Sequence, residues 1–487
     1  WYSYYKEELE SKMEFETQKT WIPYNKFMVP GNVRQFFIFY KRNLLSKLAD
    51  RQFMSIALVV SPLLAVILGF FSKYIAGDES DVHAYVFSQN ENLPAYLFMC
   101  VIVALFLGLI VAAEEIIKDR RILERESFLN LNRTSYLLSK IGLLFILSAI
   151  QMFFFVAIGN LIMEIKGLTF SYWLILFTTA CFANLLGLNI SDGLKSVVAI
   201  YVIVPFLLVP QILLAGVIVK FDKLHYKFAS HEVVPAAGDL MASRWAYEAL
   251  AVNQFVNNKY QKHFYDIEML ESNVTYDLQF LAPTLIQEIR DAKKLVQENR
   301  DHPGLTGRFN TIHDGFFSIY LTGLYPGISH FEGDKFSSDA GDHAISWLQD
   351  YQSKLSDHRE KMTHQKDSFT DSIKNSKGGT REYVQFKRNY YNDQLADMVM
   401  NRTDLHKIVK KEEQLIRKME PVYMYPAVRN GRAHFYASVK MLGNIKLSTF
   451  VFNNMAIWAM TIVLYFLLRY SILRKTIDFF GELRRKR

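Results

Sequence analysis

The sequence predicts an all-α membrane protein with six transmembrane helices in a 5 + 1 arrangement. Apolar residues cluster in six runs of about 20 residues, the length that crosses roughly 30 Å of hydrocarbon. A long polar stretch, residues 222–446, separates the fifth run from the sixth. Lys and Arg gather beside the runs rather than within them. These observations together predict a helical bundle in a bilayer, with one large domain on one side.

Each of the six predicted spans is nearly free of charge at its centre, so it can lie in hydrocarbon with its backbone hydrogen-bonded internally. The net charge of +8 would fit a nucleic-acid-binding protein, but the positions of Lys and Arg indicate contact with membrane lipids instead. We therefore expect no nucleic acid partner. The predicted spans are Phe53–Tyr74, Pro94–Ile117, Tyr136–Met163, Phe170–Ile190, Val197–Phe221 and Leu447–Tyr470.

Clusters of basic residues set the predicted orientation. They occur before the first span, after the second and in the C-terminal tail, and these three places share one side if there are six spans. By the positive-inside rule that side is the cytoplasm, which predicts a multi-pass protein of the cytoplasmic (inner) membrane with both termini cytoplasmic. The expected organisation is a cytoplasmic linker at 1–30, an interfacial connecting helix at 31–52, transmembrane helices 1–5 at 53–221, a periplasmic or extracellular domain at 222–446, transmembrane helix 6 at 447–470 and a basic cytoplasmic tail at 471–487.

The segment before the first span is predicted to be an amphipathic helix lying in the cytoplasmic interface. Its apolar residues recur at helical spacing, and Lys41, Arg42 and Lys47 lie among them. The alternative is a soluble helix that packs on its neighbour. The apolar residues are Val33, Phe36, Phe37, Tyr40, Leu44 and Leu48.

The polar stretch 222–446 is predicted to be mainly helical, with helices in Asp277–Asn299 and Ile345–Asp371. Breaks are expected at Pro303-Gly304 and at Gly378-Gly379. Strands near Pro421–Ser438 are an open alternative. The stretch has no cysteine, and its histidines match no usual metal-ligand spacing, so we predict neither a disulfide scaffold nor a metal site.

Motifs for catalysis are missing from the sequence. There is no G-x-x-x-x-G-K-[ST] phosphate loop, no H-E-x-x-H and no paired cysteine motif. The spans carry few ionisable residues, which argues against a carrier driven by protons or sodium. The sequence therefore favours a permease that takes its energy from elsewhere and has no catalytic residue or cofactor of its own.

Four stretches of the chain resemble the membrane half of an ABCG-type (white/PDR-like, ABC-2) transporter. They occur in order around the 5 + 1 layout, at Arg34–Asp50, at Ala113–Glu126 followed by Tyr136 and Lys140, at Leu213–Ile218 and at Ser243–Phe255. The chain departs from that family in having a much larger external domain without cysteines and no nucleotide-binding domain. It resembles a bacterial version with an enlarged periplasmic domain.

The resemblance implies the transmembrane subunit of an ATP-driven exporter, working as a homodimer or pseudo-dimer by alternating access. Its cargo would be amphipathic or lipid-like, or a lipid-linked molecule or peptide. ATP and Mg would bind at an associated nucleotide-binding domain, so the chain would act as a translocase only together with that domain. Because the first residue is Trp1 and not Met, we expect a part of a longer polypeptide, with the ATPase upstream or in a separate subunit.

The resemblance also implies a central cavity between the second and fifth spans, closed by an apolar plug formed by Val217 and Ile218. The alternative is that these positions are ordinary helix-packing or lipid-facing residues. Pro205 and Pro210 each remove a backbone hydrogen bond and predict either a flexible gate or a static kink. The residues implied for the cavity are Ala104, Leu107, Val209 and Ile212.

The end of the second span resembles the family's ATPase-coupling loop. Glu124, Arg125 and Glu126 would contact the ATPase, and Glu114 or Asp119 would pair with Arg120 or Arg121. The alternative is that these charges cap the helix end and obey the positive-inside rule. The coupling residues are Glu114, Asp119, Arg120, Arg121, Glu124, Arg125 and Glu126.

A second hypothesis comes from a different class of protein. The chain would be an ABC-type mechanotransmission or scaffold protein, whose external domain binds a periplasmic protein partner without transporting a substrate. In that case ATP drives mechanical work on the partner.

Overall fold

The computed structural model describes residues 1–10, 30–75, 85–126, 131–230, 232–298, 304–320, 325–331, 335–411 and 413–485. These residues are mostly helical, as predicted. Residues 11–29 of the expected linker lie outside the described part of the chain. The helices of the first half are α1 Tyr2–Tyr4, α2 Asn32–Ala49, α3 Arg51–Ser72, α4 Leu93–Ala113, α5 Glu115–Glu126, α6 Arg133–Met163, α7 Thr169–Gly193 and α8 Val197–Leu213.

Five described helical segments are long and apolar enough to cross a membrane. They are Arg51–Ser72, Leu93–Arg125 (α4 with α5), Arg133–Met163, Thr169–Gly193 and, near the C-terminus, α17 Thr449–Arg469. Five of the six predicted apolar runs therefore form helices of spanning length.

The fifth predicted span, Val197–Phe221, is shorter than expected. Its helix α8 has 17 residues and a length of about 25 Å, which is less than the roughly 30 Å of hydrocarbon. The chain turns at Gly216, whose φ of +79° favours glycine. A Cβ at Gly216 would lie 2.4 Å from the ring of Phe221, so this turn depends on a contact with a later residue.

Helix α7 lies at the centre of the bundle. In its most apolar 18-residue stretch 83% of the residues are buried, compared with 22% in the corresponding stretch of α3. It packs closely against α4 through two glycines. A Cβ on Gly108 would lie 2.6 Å from the carbonyl oxygen of Ala180, and one on Gly187 would lie 2.9 Å from that of Leu109. Small residues thus let these two helices approach backbone to backbone.

The contacts at the helix ends define two sides of the bundle. On one side, Asn392 donates to the carbonyl oxygens of Phe87 and Asn90, just before α4, at 2.8 and 2.9 Å. On the other side, Arg133 at the start of α6 donates to Asp192 at the end of α7 and to the carbonyl oxygen of Leu468 in α17. The long polar stretch packs on the first side, and the basic loops lie on the second.

The polar stretch 222–446 is mainly helical, as predicted. Its helix α14 has 40 residues and ends at Gly378, which has a φ of +99°, so the predicted Gly378-Gly379 break is confirmed. The predicted helix at Asp277–Asn299 corresponds largely to α12. The helices are α9 Ala236–Asp239, α10 Ala242–Val256, α11 Tyr265–Tyr276, α12 Ala282–Glu298, α13 Gly304–Phe317, α14 Ser338–Lys377, α15 Thr380–Tyr390 and α16 Asp393–Val399.

Two antiparallel hairpins lie on either side of the stretch in which strands were considered. One pairs β1 Ile408–Lys411 with β2 Gln414–Arg417, and the other pairs β3 Val439–Leu442 with β4 Ile445–Ser448. Between them, Pro421–Tyr423 forms a 3₁₀ turn. Pro421–Ser438 holds no regular strand, but Asn430 forms an isolated antiparallel bridge with Leu442 at the end of β3.

The polar stretch 222–446 has two parts with different cores. The proximal part, residues 242–264, 391–400 and 421–448, contributes side chains to the core of the membrane bundle. The distal part, the described residues of 276–348 with the β1–β2 hairpin, packs around a separate core. Helix α14 joins them, because its Leu348 lies in the distal core and its Ile373 in the bundle core.

The C-terminal tail was expected to be a basic segment, and the structure shows a further helix, α18 Ile472–Arg485. It begins after Ser471, whose φ is +50°. Leu473 of α18 packs against Gly193 at the end of α7, and Asp478 pairs with Lys195 at 3.0 Å.

Candidate functional site

Helix α5 forms a charged extension of α4 on the basic side of the bundle. The apolar sequence of α4 ends at Ala113, and Glu114 marks the turn between the two helices. Ser191 Oγ accepts the backbone N–H groups of Ile116 and Ile117, both at 3.0 Å. Arg120 donates to the carbonyl oxygen of Asp192 at 3.0 Å. Helix α5 is therefore fixed to the end of α7.

A buried carboxylate joins α5 to two other helices. Glu115 is 9% exposed and pairs with Lys47 of α2 at 2.5 Å and with Lys140 of α6 at 3.0 Å. Lys140 also pairs with Asp119 at 2.9 Å, and the hydroxyl of Tyr136 donates to Asp119 at 3.0 Å. We call these five residues the Glu115 cluster. It balances two carboxylates against two lysines.

The structure gives Glu114 and Asp119 partners other than those expected. Glu114 pairs with Lys118 at 2.5 Å and accepts the hydroxyl of Tyr201, while Asp119 pairs with Lys140. The expected partners Arg120 and Arg121 are neighbours of Asp119 in the sequence. Residues one or two apart on a helix point to different faces, whereas Glu114 and Lys118 are four apart and meet.

The outer face of α5 carries Arg121, Glu124 and Arg125, which are exposed. Glu126 is the last residue of the helix. The coupling residues thus separate into an inner set, Glu114, Asp119 and Arg120, that holds the helix in place, and an outer set that faces away from the bundle. Contact of the outer set with an ATPase stays a prediction.

Helix α2 both packs on a neighbour and presents an apolar surface. Phe39 and Asn43 are buried against α6, where Asn43 donates to Ser139 at 3.2 Å. Gln35 accepts the backbone N–H of Asn132 at 2.9 Å. Half of the predicted apolar stripe is exposed, with Phe37 62% exposed, and the other half is half-buried. The polar side chains on the buried face were the signal that the sequence analysis missed.

The residues expected to line a central cavity do not come together within the described protomer. Ala104 and Leu107 are 0% and 4% exposed, because this face of α4 packs on α7. Val209 is 51% exposed on α8, and Ile212 is half-buried. The large exposed side chains of α4 are instead Met99, Phe106 and Ile110.

The expected plug residues follow α8 directly. Val217 is half-buried and Ile218 is exposed, and they come just after the Gly216 turn. Pro205 and Pro210 lie inside α8, as the sequence indicated. Their role as a gate stays a prediction.

Helix α10 holds a second buried carboxylate, on the opposite side of the bundle. Glu248 is fully buried and accepts from Lys440 of β3 at 2.7 Å and from Asn453 of α17 at 2.8 Å. The guanidinium of Arg244 is 3.6 Å from Glu248 and 3.8 Å from the ring centroid of Trp245. We call these five residues the Glu248 cluster. The motif at Ser243–Phe255 pointed to Arg244, but nothing in the sequence pointed to Lys440 or Asn453.

Deep burial and the neighbouring charges determine the pKa values of the residues in the Glu248 cluster. Burial by itself would raise the pKa of Glu248, but the charges of Arg244 and Lys440 hold it below its usual value. Burial lowers the pKa of Lys440 to about 8, despite the adjacent carboxylate. Nε and Nη1 of Arg244 have no hydrogen-bond partner among the described residues.

Neither cluster is arranged to bind a metal. In the described part of the chain, no group of three or more His, Cys, Asp or Glu side chains is placed to hold a metal ion. Both clusters pair carboxylates with cations, so they act as structural links between helices.

A cavity of about 890 Å³ lies where the bundle meets the polar stretch 222–446. Pro94, Ala95 and Val217 line it from the bundle, and Tyr276 and Arg417 line it from the polar stretch. One of the two expected plug residues thus borders an open space between the bundle and the polar stretch.

A comparison with known protein families found a match for the first half of the chain. Residues 34–255 match the family model described as ABC-2 type transporter. No curated protein compared with the chain matches it. The matched region begins in α2 and ends in α10, so it includes Glu115, Asp119 and Lys140 but not the distal part. Residues 34–255 are therefore an ABC-2 type transporter membrane domain within a multi-pass membrane protein.

Proposed function

We propose that the chain is the transmembrane subunit of an ATP-driven exporter that moves an amphipathic or lipid-like cargo outward by alternating access in a dimer. An ABC-2 membrane domain implies the transmembrane subunit of an ABC transporter. The observation that carries the proposal is the rigid attachment of α5, within that domain, through the Glu115 cluster.

The Glu115 cluster links α5 to other helices of the bundle. A force on the exposed face of α5 passes to α2 through Lys47, to α6 through Lys140 and to α7 through Ser191. Removing one partner of a buried ion pair leaves the other charge uncompensated and is destabilising, so these links resist separation. Closure of an ATPase dimer against Arg121 and Arg125 would therefore tilt several helices together.

The apolar surface of the bundle supports an amphipathic cargo. Phe106 and Ile110 of α4 and Phe206 and Val209 of α8 are exposed large apolar side chains. Two copies that face each other across these helices would enclose an apolar cavity. Burial of apolar cargo surface then supplies the binding free energy. In this arrangement Met99, Phe106 and Ile110 take the role first assigned to Ala104 and Leu107.

The coupling test uses the full chain in liposomes together with its nucleotide-binding partner. Arg121→Glu/Arg125→Glu should lower cargo-stimulated ATPase activity at least about tenfold, since like charges across an interface cost more than ~1.4 kcal/mol. Lys361→Glu, a matched reversal at an exposed position of α14, should leave the activity unchanged. Equal activity of the double variant and the wild type would contradict the coupling role.

One observation favours the mechanotransmission alternative. The distal part has its own core and is joined to the bundle by α14, as a domain built to bind a partner would be. ATP-dependent release of cargo from liposomes supports export. Capture of a periplasmic protein through the distal part, with ATPase activity but no cargo movement, supports mechanotransmission.

A further inference from the structure

The C-terminal helix α18 has an apolar face and a charged face. Ile472, Phe479 and Leu483 are seven and four residues apart, so they form one stripe along the helix. A second stripe, with charged residues spaced by four, lies on another side of the helix and consists of Arg474, Asp478 and Glu482. The helix is therefore amphipathic.

Most of the apolar face is left uncovered by the described part of the chain. Phe479 is 58% exposed, Phe480 64% and Leu483 48%. At one edge of this face, Leu473 and Ile477 contact Gly193 at the end of α7. The bundle thus holds α18 by an edge of its apolar face and leaves an aromatic surface open beside α7.

The depth of α18 in the membrane follows from the helices that it contacts. Helix α17 has 21 residues and a length of about 32 Å, enough to cross roughly 30 Å of hydrocarbon. Only Tyr470 and Ser471 separate α17 from α18. The contact with Gly193 places α18 at the end of a second spanning helix, α7. Helix α18 therefore begins at the level where the hydrocarbon ends.

The exposed apolar surface of α17 continues into α18. Val463 and Phe466 are 58% and 51% exposed on α17, Tyr470 follows at 58%, and Ile472 begins α18 at 43%. A contiguous exposed apolar surface marks a site of membrane or protein contact. Because this surface continues from a spanning helix, the lipid that surrounds that helix is the occupant that its position favours.

The sequence supplies positive charge beside the apolar face. Residues 471–487 contain six Lys or Arg against two Asp or Glu, a net charge of +4. Asp478, one of the two acidic residues, pairs with Lys195 at 3.0 Å and with Arg474 at 3.9 Å. Amphipathic helices with aromatic and basic residues lie in the membrane interface, and basic segments beside a spanning helix attract anionic headgroups.

We propose that α18 is an interfacial anchor that binds anionic lipid. Phe479, Phe480 and Leu483 lie at the boundary between headgroups and acyl chains, and the basic residues of the tail contact the headgroups. Because α7 also holds α5 through Ser191, the lipid surface is linked to the end of the bundle that carries the charged helix α5. Anchoring requires neither ATP nor cargo, so it goes beyond the proposed export and does not depend on it.

The test measures the depth of α18 in the full chain, reconstituted in nanodiscs without nucleotide. Both native cysteines, Cys100 and Cys181, are buried, so a cysteine introduced on α18 is the accessible site for an NBD fluorophore. The label is placed on the apolar face by Phe480→Cys or on the charged face by Glu482→Cys. Phosphatidylcholine or phosphatidylglycerol that carries a doxyl group near its headgroup is the quencher.

The label on the apolar face should lie in lipid, and the lipid should be selected by charge. Quenching should be at least about threefold stronger in Phe480→Cys than in Glu482→Cys, because the apolar face reaches the acyl chains. At low salt, doxyl phosphatidylglycerol should quench Phe480→Cys at least about twofold more than doxyl phosphatidylcholine, and high salt should remove this preference by screening.

Two further changes in the Phe480→Cys background separate the apolar contribution from the electrostatic one. Phe479→Gln/Leu483→Gln should lower quenching by both lipids at least about twofold, because less apolar surface enters the bilayer. Lys361→Gln, at an exposed position of α14, is the control and should be quenched like the parent chain. Replacement of the basic residues of the tail by Gln should remove the preference for phosphatidylglycerol, and the residues replaced are Lys475, Arg484, Arg485, Lys486 and Arg487.

The salt dependence needs no change in the tail and keeps the proposal testable if the tail variant fails to fold. Equal quenching of the two labelled positions, or equal quenching by the two lipids at low salt, would overturn the proposal. Two other results would overturn it by giving the apolar face a different occupant. Quenching in nanodiscs with one copy but not with two would assign the face to a second copy, and loss of quenching on addition of the nucleotide-binding partner would assign it to that partner.

Discussion

Two buried carboxylates, Glu115 near one end of the bundle and Glu248 near the other, are satisfied to different degrees. Glu115, on the basic side, contacts Lys47 and Lys140 at 2.5 and 3.0 Å. Glu248, on the opposite side, contacts Lys440 at 2.7 Å but Arg244 only at 3.6 Å. The first cluster balances two carboxylates against two lysines. In the second, one fully buried carboxylate serves two fully buried cations, and a half-buried carboxylate, Asp239, lies 3.7 Å from Arg244.

The difference shows two uses of buried charge. The Glu115 cluster lies close to the surface, with side chains of Lys47 and Glu115 12% and 10% exposed, and it joins α2, α5 and α6, which the proposed coupling would move together. The Glu248 cluster is deeper and leaves donors of Arg244 unsatisfied, so it holds α10 between β3 and α17 at an energetic cost. The first is suited to transmit force, and the second to fix one arrangement.

Among the variants that test this comparison, Glu248→Gln should lower the stability of the folded chain most. It leaves Arg244 and Lys440 buried without their shared carboxylate, a loss that costs about 3–5 kcal/mol. Thermal unfolding in detergent should show a large drop in Tm. Glu360→Gln on α14, whose side chain is 75% exposed, is the matched control and should behave like the wild type. A variant within about 1 kcal/mol of the wild type would refute the idea that this carboxylate holds the cluster together.

Glu115→Gln should destabilise the chain less, by about 1–3 kcal/mol, because Asp119 still pairs with Lys140 and the cluster is nearer to solvent. The same variant should weaken ATPase coupling, since α5 loses its link to Lys47. Measurement of Tm and of cargo-stimulated ATPase activity checks both. A drop in Tm equal to that of Glu248→Gln would remove the distinction between the clusters.

The pH dependence of stability should report on Lys440. Its pKa is about 8 in the folded chain and near 10.5 when unfolded, so the unfolded chain binds more protons between these pH values. Its contribution to the free energy of unfolding therefore rises with pH across that window, by at most about 1.4 kcal/mol per pH unit. Lys440→Gln should flatten the rise in Tm between about pH 8 and pH 10. Parallel curves for variant and wild type would show that Lys440 keeps an ordinary pKa.

Tyr136→Phe should have the smallest effect, about 0.5–1.5 kcal/mol, because it removes one hydrogen bond to Asp119 and leaves both ion pairs of Lys140 in place. Tyr226→Phe, at a side chain that is 78% exposed, is the control. A larger loss in Tyr136→Phe than in Glu115→Gln would mean that the hydroxyl, and not the carboxylate, organises this end of the bundle.

Hydropathy predicted the helices of the bundle well because it sums over about 20 residues and tolerates local error. It overestimated the fifth span because apolar residues continue past Leu213, where α8 ends, and hydropathy does not register the turn at Gly216, whose φ is +79°. The helix α18 was not predicted because the tail was interpreted from its basic residues alone. Its apolar residues Leu473, Ile477 and Phe480 recur at helical spacing.

The candidate site was predicted in part. The charged motif after the second span located α5, and Lys140 inside an apolar run was a signal for a buried partner. Its partner Glu115 could not be assigned, because the pairing depends on how α5 and α6 pack. Lys440 and Arg417 are separated in sequence from Glu248 and Asn273 by more than a hundred positions, and each pairing exists only in the folded chain.

The length of helix α14 means that a small tilt at the end that packs on the bundle would produce a larger displacement at the other end. Its 40 residues rise about 60 Å along the helix axis, and its two ends belong to different cores. A tilt of about 5° at the end near Ile373 would displace the far end by roughly 5 Å over that length. The helix would therefore act as a lever arm, and the distal part packs at the end that such a tilt would displace most.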